Sequence, residues 1–357
     1  MRTRLLVAGI FSSLFVVLGA LSGTAEAQTV PVVRLAPAVT TEPVANDPDD
    51  PAIWRNAAAP EKSRIIGTNK VSATEGGALY VFDLQGKICQ VVRGLDRPNN
   101  VDVKQGVVWG NETIDIAAVT ERNAKMVRVY RIAPETGFLT ELGRFPVFVS
   151  ENGEDAAPMG IALYKRATDS ALFAFVGRKS GPATGYLWQY RLTRNVSGGL
   201  DATKVRAFGD YSGKKEIEAI AVDEAAGRVY YADERFGIHV WNADPDAPDA
   251  AKEIATFAKT DFQGDHEGIA VLPTGAKDGF IVSTDQIPGD SRYRLFSRQD
   301  YQEIAVLKGG ADETDGIEIC AEPLGSRFPN GVLVVMNSGP RNFLIYDLRD
   351  VLKAPKK

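Results

Sequence analysis

Cysteine and histidine are nearly missing from this 357-residue chain, which holds two of each: Cys89, Cys320, His239 and His266. Two histidines are too few for a conventional multi-histidine metal centre, so a His-rich dimetal site or a histidine nucleophile is disfavoured. Two cysteines cannot build a disulfide scaffold, and whether Cys89 and Cys320 pair or stay free thiols is open at this stage. No basic stripe stands out, which argues against a nucleic-acid binder. Past residue 27 no apolar run is long enough to span a bilayer. Long helical periodicity is also absent, apart from one turn expected around Asp350.

The single long apolar stretch, residues 5–21, follows Arg2 and Arg4 and precedes Ala25-Glu26-Ala27. That is the pattern of a secretory signal, residues 1–27, cleaved after Ala27; a membrane anchor is the alternative. We therefore expect an exported protein, periplasmic or secreted, with residues 28–357 as one domain. Without Arg2, Arg4 and Glu26 the chain keeps 39 basic against 45 acidic residues. Export makes a disulfide possible without requiring one. A hydrophobic content of 44% with 34 glycines fits a folded protein rich in turns.

Carboxylate is abundant, and it is concentrated. Asn46-Asp47-Pro48-Asp49-Asp50-Pro51-Ala52-Ile53-Trp54 crowds three carboxylates and an amide into five residues, with Pro48 and Pro51 stiffening the backbone. Packing like charges that closely is unfavourable unless a cation sits among them. A hard, oxygen-seeking ion such as Ca²⁺ suits the cluster. Taken alone the run reads better as a solvated acidic turn before a strand, but the rest of the chain repeats it.

Aligning Asp50-Pro-Ala-Ile-Trp with later segments yields a frame. Its members are Asn100-Val-Asp-Val, Met159-Gly-Ile-Ala-Leu, Glu218-Ala-Ile-Ala-Val, Glu267-Gly-Ile-Ala-Val and Asp315-Gly-Ile-Glu-Ile, successive anchors lying 50, 59, 59, 49 and 48 residues apart. Each of the six units then repeats β signals. Second strands are expected at 64–69, 114–120, 171–177, 228–233, 280–284 and 332–337, and aromatic-rich third strands at 78–84, 126–132, 186–192, 237–242, 292–297 and 342–348. A fourth strand, such as 88–92 or 303–307, closes most units. The expected fold is all-β, a six-bladed β-propeller of four-stranded blades, with two stacked sandwiches as the alternative. The sixth unit runs out after its third strand, so residues 29–35 are expected to supply the fourth and lock the ring, hiding two sheet edges.

Innermost strands of a propeller line its channel, so the anchors converge on the axis. Five of the six, Asp50, Asn100, Glu218, Glu267 and Asp315, offer oxygen; Met159 is the exception. Asp49, Asp102 and Asp265 add carboxylates, and such a ring suits several Ca²⁺ ions. Just past the second strands of units one to three stand Lys70, Arg122 and Lys179. Singly each is a solvated charge; together they form a basic arc beside the acidic ring. That pairing suits a polyphosphorylated substrate, with metals on one side of the phosphate and Lys and Arg on the other.

With these residues in view the chain resembles the β-propeller phytases, the calcium-dependent myo-inositol hexakisphosphate phosphohydrolases, over essentially all of residues 28–357. The most specific segments are Asp49-Asp50-Pro51-Ala52-Ile53-Trp54 and Asn99-Asn100-Val101-Asp102-Val103, supported by Glu267-Gly268, Thr314-Asp315-Gly316-Ile317 and Lys204-Val205-Arg206-Ala207-Phe208. The resemblance implies calcium at or near Asp49, Asp50, Asn100, Asp102, Glu218, Asp265, Glu267, Gln286 and Asp315. It also implies a ligand in Ala232-Asp233-Glu234, for which Glu234 is the choice and Asp233 the alternative. Lys70, Arg122 and Lys179 match the cations that grip phosphate. Val71 stands where the family often has a second lysine, and Met159 where it has a tyrosine.

The implied activity is that of a 3-phytase-like phosphoric monoester hydrolase, in which calcium-activated water attacks phytate without a covalent phosphoenzyme. Phytate is expected as a calcium complex, Lys179 to meet leaving-group charge, Asp265 and Glu267 to orient the water or act as plain ligands, and the protein to be a monomer. A neutral-to-alkaline optimum follows, since ligand carboxylates must be ionised. Two other classes stay open: a calcium-dependent propeller lactonase or esterase, and a non-catalytic binding propeller.

Overall fold

The computed structural model describes residues 30–355 and Met1, so the expected signal segment, apart from Met1, lies outside the described residues. Six sheets are arranged in chain order around an axis. Blade 1 comprises Pro48–Trp54, Arg64–Asn69, Ala78–Phe82 and Ile88–Arg93; blade 2 comprises Pro98–Trp109, Glu112–Glu121, Met126–Ile132 and Leu139–Pro146. Blade 3 is Pro158–Lys165, Leu172–Arg178, Thr184–Arg194 and Leu200–Asp210, and blade 4 is Ile220–Asp223, Arg228–Asp233, Gly237–Asn242 and Glu253–Phe257. Blade 5 is Asp265–Pro273, Gly279–Gln286, Arg292–Ser297 and Glu303–Lys308, and blade 6 is Ile317–Cys320, Val332–Asn337 and Asn342–Asp347 plus one strand from the N-terminal segment. The expected six-bladed propeller is the fold observed. The expected turn near Asp350 is the short helix Leu348–Val351.

Six apolar clusters hold the ring together, one between each pair of neighbouring blades. Middle strands are therefore packed on both faces. Val332–Asn337 and Asn342–Asp347 are buried at every position, which is why they read as continuous β-branched and aromatic runs without a polar alternation. Outer strands such as Ile88–Arg93 are only half-buried. Arg206, in the Lys204–Phe208 motif, ties blade 3 to blade 4. Its Nε donates to Gln189 Oε1 at 2.6 Å, and its two terminal nitrogens donate to the carbonyls of Ala250 (2.7 Å) and Asn242 (2.6 Å).

Ring closure differs from the expectation in one respect. Val32–Arg34 does not complete blade 6; it adds a fifth, parallel strand outside Glu303–Lys308 of blade 5, pairing Val32 with Val306. The missing strand of blade 6 is Val39–Thr40, antiparallel to Asn342–Asp347 with Val39 opposite Ile345. Thr41 reinforces the join, its Oγ1 accepting from the Phe343 amide at 3.0 Å. Four residues, Leu35 to Ala38, let the segment step from one blade to the next, a step the sequence frame does not reveal. Across the same seam Phe343 packs on Gly67 of blade 1, where a Cβ would lie 2.3 Å from the ring. Cys89, on the outer strand of blade 1, and Cys320, on the inner strand of blade 6, are free thiols.

Candidate active site at the mouth of the central channel

The inner strands begin with an irregularity that decides where their side chains point. In blade 1, Pro48 pairs with Asn69 but Pro51 with Gly67, so the inner strand carries one residue more than its partner. The same slip occurs between Pro98 and Val101, Pro158 and Ile161, and His266 and Ile269. A bulge of this kind bends the strand and re-aims the side chains within it. Pro51, Val101, Ile161, Ile220, Ile269 and Ile317 are equivalent by their pairing with Gly67, Val119, Val176, Tyr231, Ser283 and Val335.

Counting back two residues from each gives the true anchor ring: Asp49, Asn99, Met159, Glu218, Glu267 and Asp315. The sequence frame is therefore one residue out in blades 1 and 2. Asp50 and Asn100 take the next position, held elsewhere by Gly160, Ala219, Gly268 and Gly316. Glycine there has a steric reason, because a Cβ on Gly160 would lie 1.7 Å from the Glu218 carbonyl oxygen and one on Gly316 2.1 Å from Asp50 Oδ1. Asp50 instead turns along the channel wall, its Oδ2 accepting from the Val101 amide at 2.9 Å. Asn100 Oδ1 accepts from Asn99 Nδ2 at 2.8 Å. Asp102 sits lower still and accepts from the Leu163 amide at 2.6 Å; Glu318 is its equivalent in blade 6. Asp50, Asn100, Asp102 and Glu318 line a channel cavity of about 480 Å³ whose mouth is formed by Glu218, Glu267 and Asp315.

A second ring surrounds the first. The residue three beyond each pairing partner is Lys70, Arg122, Lys179, Glu234, Gln286 and Ser338 in turn. In blades 1 to 4 this residue donates its backbone amide to the carbonyl two residues before the anchor: Lys70 to Asp47 (2.7 Å), Arg122 to Arg97 (3.0 Å), Lys179 to Ala157 (2.9 Å) and Glu234 to Glu216 (3.1 Å). Half of the mouth is thus edged by cations and half by oxygen donors.

The two rings interlock. Lys70 is ion-paired with Asp49 and stands 3.8 Å from Asp315 Oδ2. Arg122 donates to Asn99, Asn99 to Glu218, and Gln286 to Asp315. Lys179 is ion-paired with Glu216. Carboxylate oxygens of Glu216, Glu218 and Glu234 all lie within 4.8 Å of one another, as do those of Glu234, Asp265 and Glu267. Glu234, not Asp233, faces this cluster; Asp233 is spent on Ser212, whose amide and Oγ donate to it at 2.6 and 2.7 Å. Met159 is fully buried at the anchor position of blade 3 and offers no oxygen from its side chain.

Burial dominates the electrostatics. It pushes Glu234 up to about 8, against the opposing pull of Lys215, and Asp315 up to about 6, against Lys70. Asp49 and Glu267 are raised well above the usual carboxylate range, again chiefly by burial. Glu218 and Asp265 are the exceptions. Burial acts to raise Glu218, but Lys70, Arg122 and Lys179, together with the Asn99 hydrogen bond, outweigh burial and hold it low. Burial also acts to raise Asp265, which Arg235 and Lys215 nevertheless keep low. Lower in the channel, burial and then Asp102 push Glu318 up to about 8.

The donor set fits a hard divalent cation. It consists of oxygen, and among the described residues the buried carboxylates of Asp49 and Glu234 are met only by the ammonium groups of Lys70 and Lys215. Buried carboxylates in that condition call for cations. Sequence reading missed Lys215, Glu216, Asn99 and Glu318. Glu216 and Asn99 lie within two residues of named anchors, and the run Lys214-Lys215-Glu216 ahead of Glu218 was the available signal for the lysine.

Fold and site define a six-bladed propeller whose channel mouth sets oxygen donors for a hard cation against three basic side chains suited to phosphate. The phytase family profile matches residues 2–341, and the chain belongs to the phytase family. It is similar to a 3-phytase of Bacillus subtilis (strain 168), 29% identical over 310 residues that cover 83% of this chain and 77% of the relative. Among the described residues no helix is long and apolar enough to cross a membrane.

Proposed function

We propose that this protein is a calcium-dependent phytase, releasing inorganic phosphate and lower inositol phosphates from myo-inositol hexakisphosphate. Family membership supports a phosphoric monoester hydrolase. The placement of three cations from three blades on the acidic ring carries the reading further: Lys70 is paired with Asp49, Lys179 with Glu216, and Arg122 reaches Glu218 through Asn99. A phosphate placed there meets three positive groups, and its oxygens face the remaining carboxylates across the mouth. An acidic chain binds a polyanion in that position only with added cations on the far side.

Asp49, Glu218, Glu234, Asp265, Glu267, Gln286 and Asp315 would hold calcium at the mouth, and Asp50, Asn100 and Asp102 in the channel. Bound there, calcium supplies the Lewis acidity that neutralises phosphate oxygens and activates water for in-line attack. The chain's own groups do the rest. Lys70 and Arg122 grip and orient the phosphate by charge-assisted hydrogen bonds. Lys179, on the rim, meets charge on the leaving inositol oxygen. Glu267, buried and facing the axis, is placed to orient the attacking water, whereas Asp265 is bound to Arg235 and Lys215 and serves better as a ligand. The mature enzyme acts outside the cytoplasm as a monomer, in keeping with the signal-like segment.

Phosphate release from phytate, measured with and without added Ca²⁺, tests the proposal. Calcium-dependent release is the expected result. Hydrolysis of an aryl ester or lactone with no phosphate released would favour an esterase and overturn it.

A further inference from the structure

Lys215 lies on the loop between the outer strand of blade 3 and the inner strand of blade 4. Its Nζ is 2.6 Å from Glu234 Oε2, 2.6 Å from Asp265 Oδ2 and 3.8 Å from Glu267 Oε1. These are the three carboxylates whose oxygens cluster within 4.8 Å of one another. Three oxygens so close enclose the space of one cation, since Ca²⁺ binds oxygen at about 2.3–2.6 Å. An ammonium hydrogen-bonded inside that space and a divalent ion cannot both occupy it.

The loop that delivers the ammonium is tied down on both sides. Ser212 is fixed to Asp233 through its amide (2.6 Å) and Oγ (2.7 Å), and Lys214 N donates to Ser212 Oγ at 3.2 Å. Tyr211 donates to the Lys215 carbonyl, and the Glu216 carbonyl accepts from the Glu234 amide at 3.1 Å. The side chain itself is free to leave. Lys215 is 39% exposed where Glu234 is fully buried and Asp265 and Glu267 are 11% and 6% exposed. It reaches in from the rim, so rotation of its flexible stem opens the site without moving backbone. Lys70, by contrast, is wedged between Asp49 and Asp315 at 14% exposure.

We propose that Lys215 is a tethered competitor for the divalent ion of the Glu234–Asp265–Glu267 site: it offsets part of the carboxylates' charge when calcium is scarce and must be displaced for the ion to enter. The inference rests on the reading above that this cluster takes calcium. By mass action, the tether weakens ion binding at this locus and makes it the last to fill as calcium rises. Lys215 also stabilises the protein in a chelator and ceases to do so once the ion is bound.

The test is calcium titration of the purified full-length mature protein by calorimetry, with terbium luminescence as a second probe. Wild type is compared with Lys215→Met, Lys215→Gln and the charge-preserving Lys215→Arg. Neutral substitution should tighten the weakest calcium site by about tenfold or more, because a charge-assisted contact no longer has to be broken first. Lys215→Arg should leave it close to wild type. In chelator Lys215→Met and Lys215→Gln should melt below wild type, and in excess calcium the deficit should vanish or reverse. Unchanged or weaker calcium binding in both neutral variants overturns this inference while leaving the calcium-dependent reading intact. No calcium binding by wild type and variants alike overturns both.

Discussion

Lys70 and Glu234 occupy the same turn of two different blades, three residues past the partner of the inner strand, each donating its amide to the carbonyl two residues before the anchor. One backbone position thus delivers a cation in blades 1, 2 and 3 and a carboxylate in blade 4. Propeller repetition supplies six such positions aimed at one axis, and the side chain at each sets whether that sector presents a cation or an oxygen donor. Fold and chemistry are separable here: the turn after the second strand places the group, and the residue type chooses its partner.

Lys70→Ala tests the cationic sector. Losing the charge-assisted contact should lower kcat/KM on phytate by about 10- to 150-fold, the equivalent of about 1.5–3 kcal/mol. Lys70→Arg should recover part of the loss. Phosphate-release kinetics at saturating calcium provide the check, and unchanged constants for the alanine variant would remove Lys70 from the site.

Much of this was legible in the sequence, for identifiable reasons. Middle strands such as Arg64–Asn69, Arg228–Asp233 and Val332–Asn337 begin and end where their β-branched and aromatic runs do, because both of their faces are buried. Lys70, Arg122 and Lys179 were identifiable because a strand end marks each, whereas Glu234 and Gln286 came only from the family resemblance. The inner-strand frame was not legible in blades 1 and 2. Asp49-Asp50 and Asn99-Asn100 are doublets of similar residues, so either member satisfies the pattern, and only the bulge tells the one facing the mouth from the one facing the channel. Lys215 was hidden because its role comes from a loop, to which strand repetition does not extend.

Stability should depend on pH with opposite slopes in chelator and in calcium. Glu234 and Asp315 have ordinary values of 4.5 and 3.8 when unfolded but about 8 and about 6 when folded. Between those limits the folded protein binds more protons than the unfolded chain, so its stability falls as pH rises. In chelator the melting temperature should therefore drop from about pH 5 to about pH 8 through these groups. Excess Ca²⁺ binds the ionised carboxylates and should flatten or reverse the slope. Thermal melts at three pH values with each additive decide it; a calcium-insensitive slope would count against metal at the mouth.

Gly316→Ala probes the contact between the last and first blades. An added Cβ would stand 2.6 Å from Asp50 Cα and 2.8 Å from the Asp49 carbonyl oxygen, neither of which is the end of a flexible side chain. The two inner strands must separate at the doublet that aims Asp49 and Asp50. Destabilisation of about 1–3 kcal/mol is expected, as for overpacking elsewhere, together with a weaker calcium response. Urea unfolding measures the first and calcium-dependent melting the second. A variant as stable as wild type would mean that the blades are not so closely apposed.

Ring closure by Val39–Thr40 rather than by Val32–Arg34 makes two truncations unequal. A chain starting at residue 35 keeps the buried Leu35 and loses only the parallel fifth strand of blade 5, whose Val32 and Arg34 are exposed. A chain starting at residue 46 loses the closing strand, the buried side chains of Val39 and Val44, and the Thr41 bond to Phe343. Burial of two valines alone is worth roughly 3 kcal/mol or more, and the bared edge of Asn342–Asp347 invites pairing between molecules. The second truncation should therefore unfold at clearly lower urea and aggregate, while the first stays soluble and close to full length in stability. Equal losses in urea melts of the two chains would show that the seam is held by the apolar contact of blades 6 and 1 and not by the closing strand.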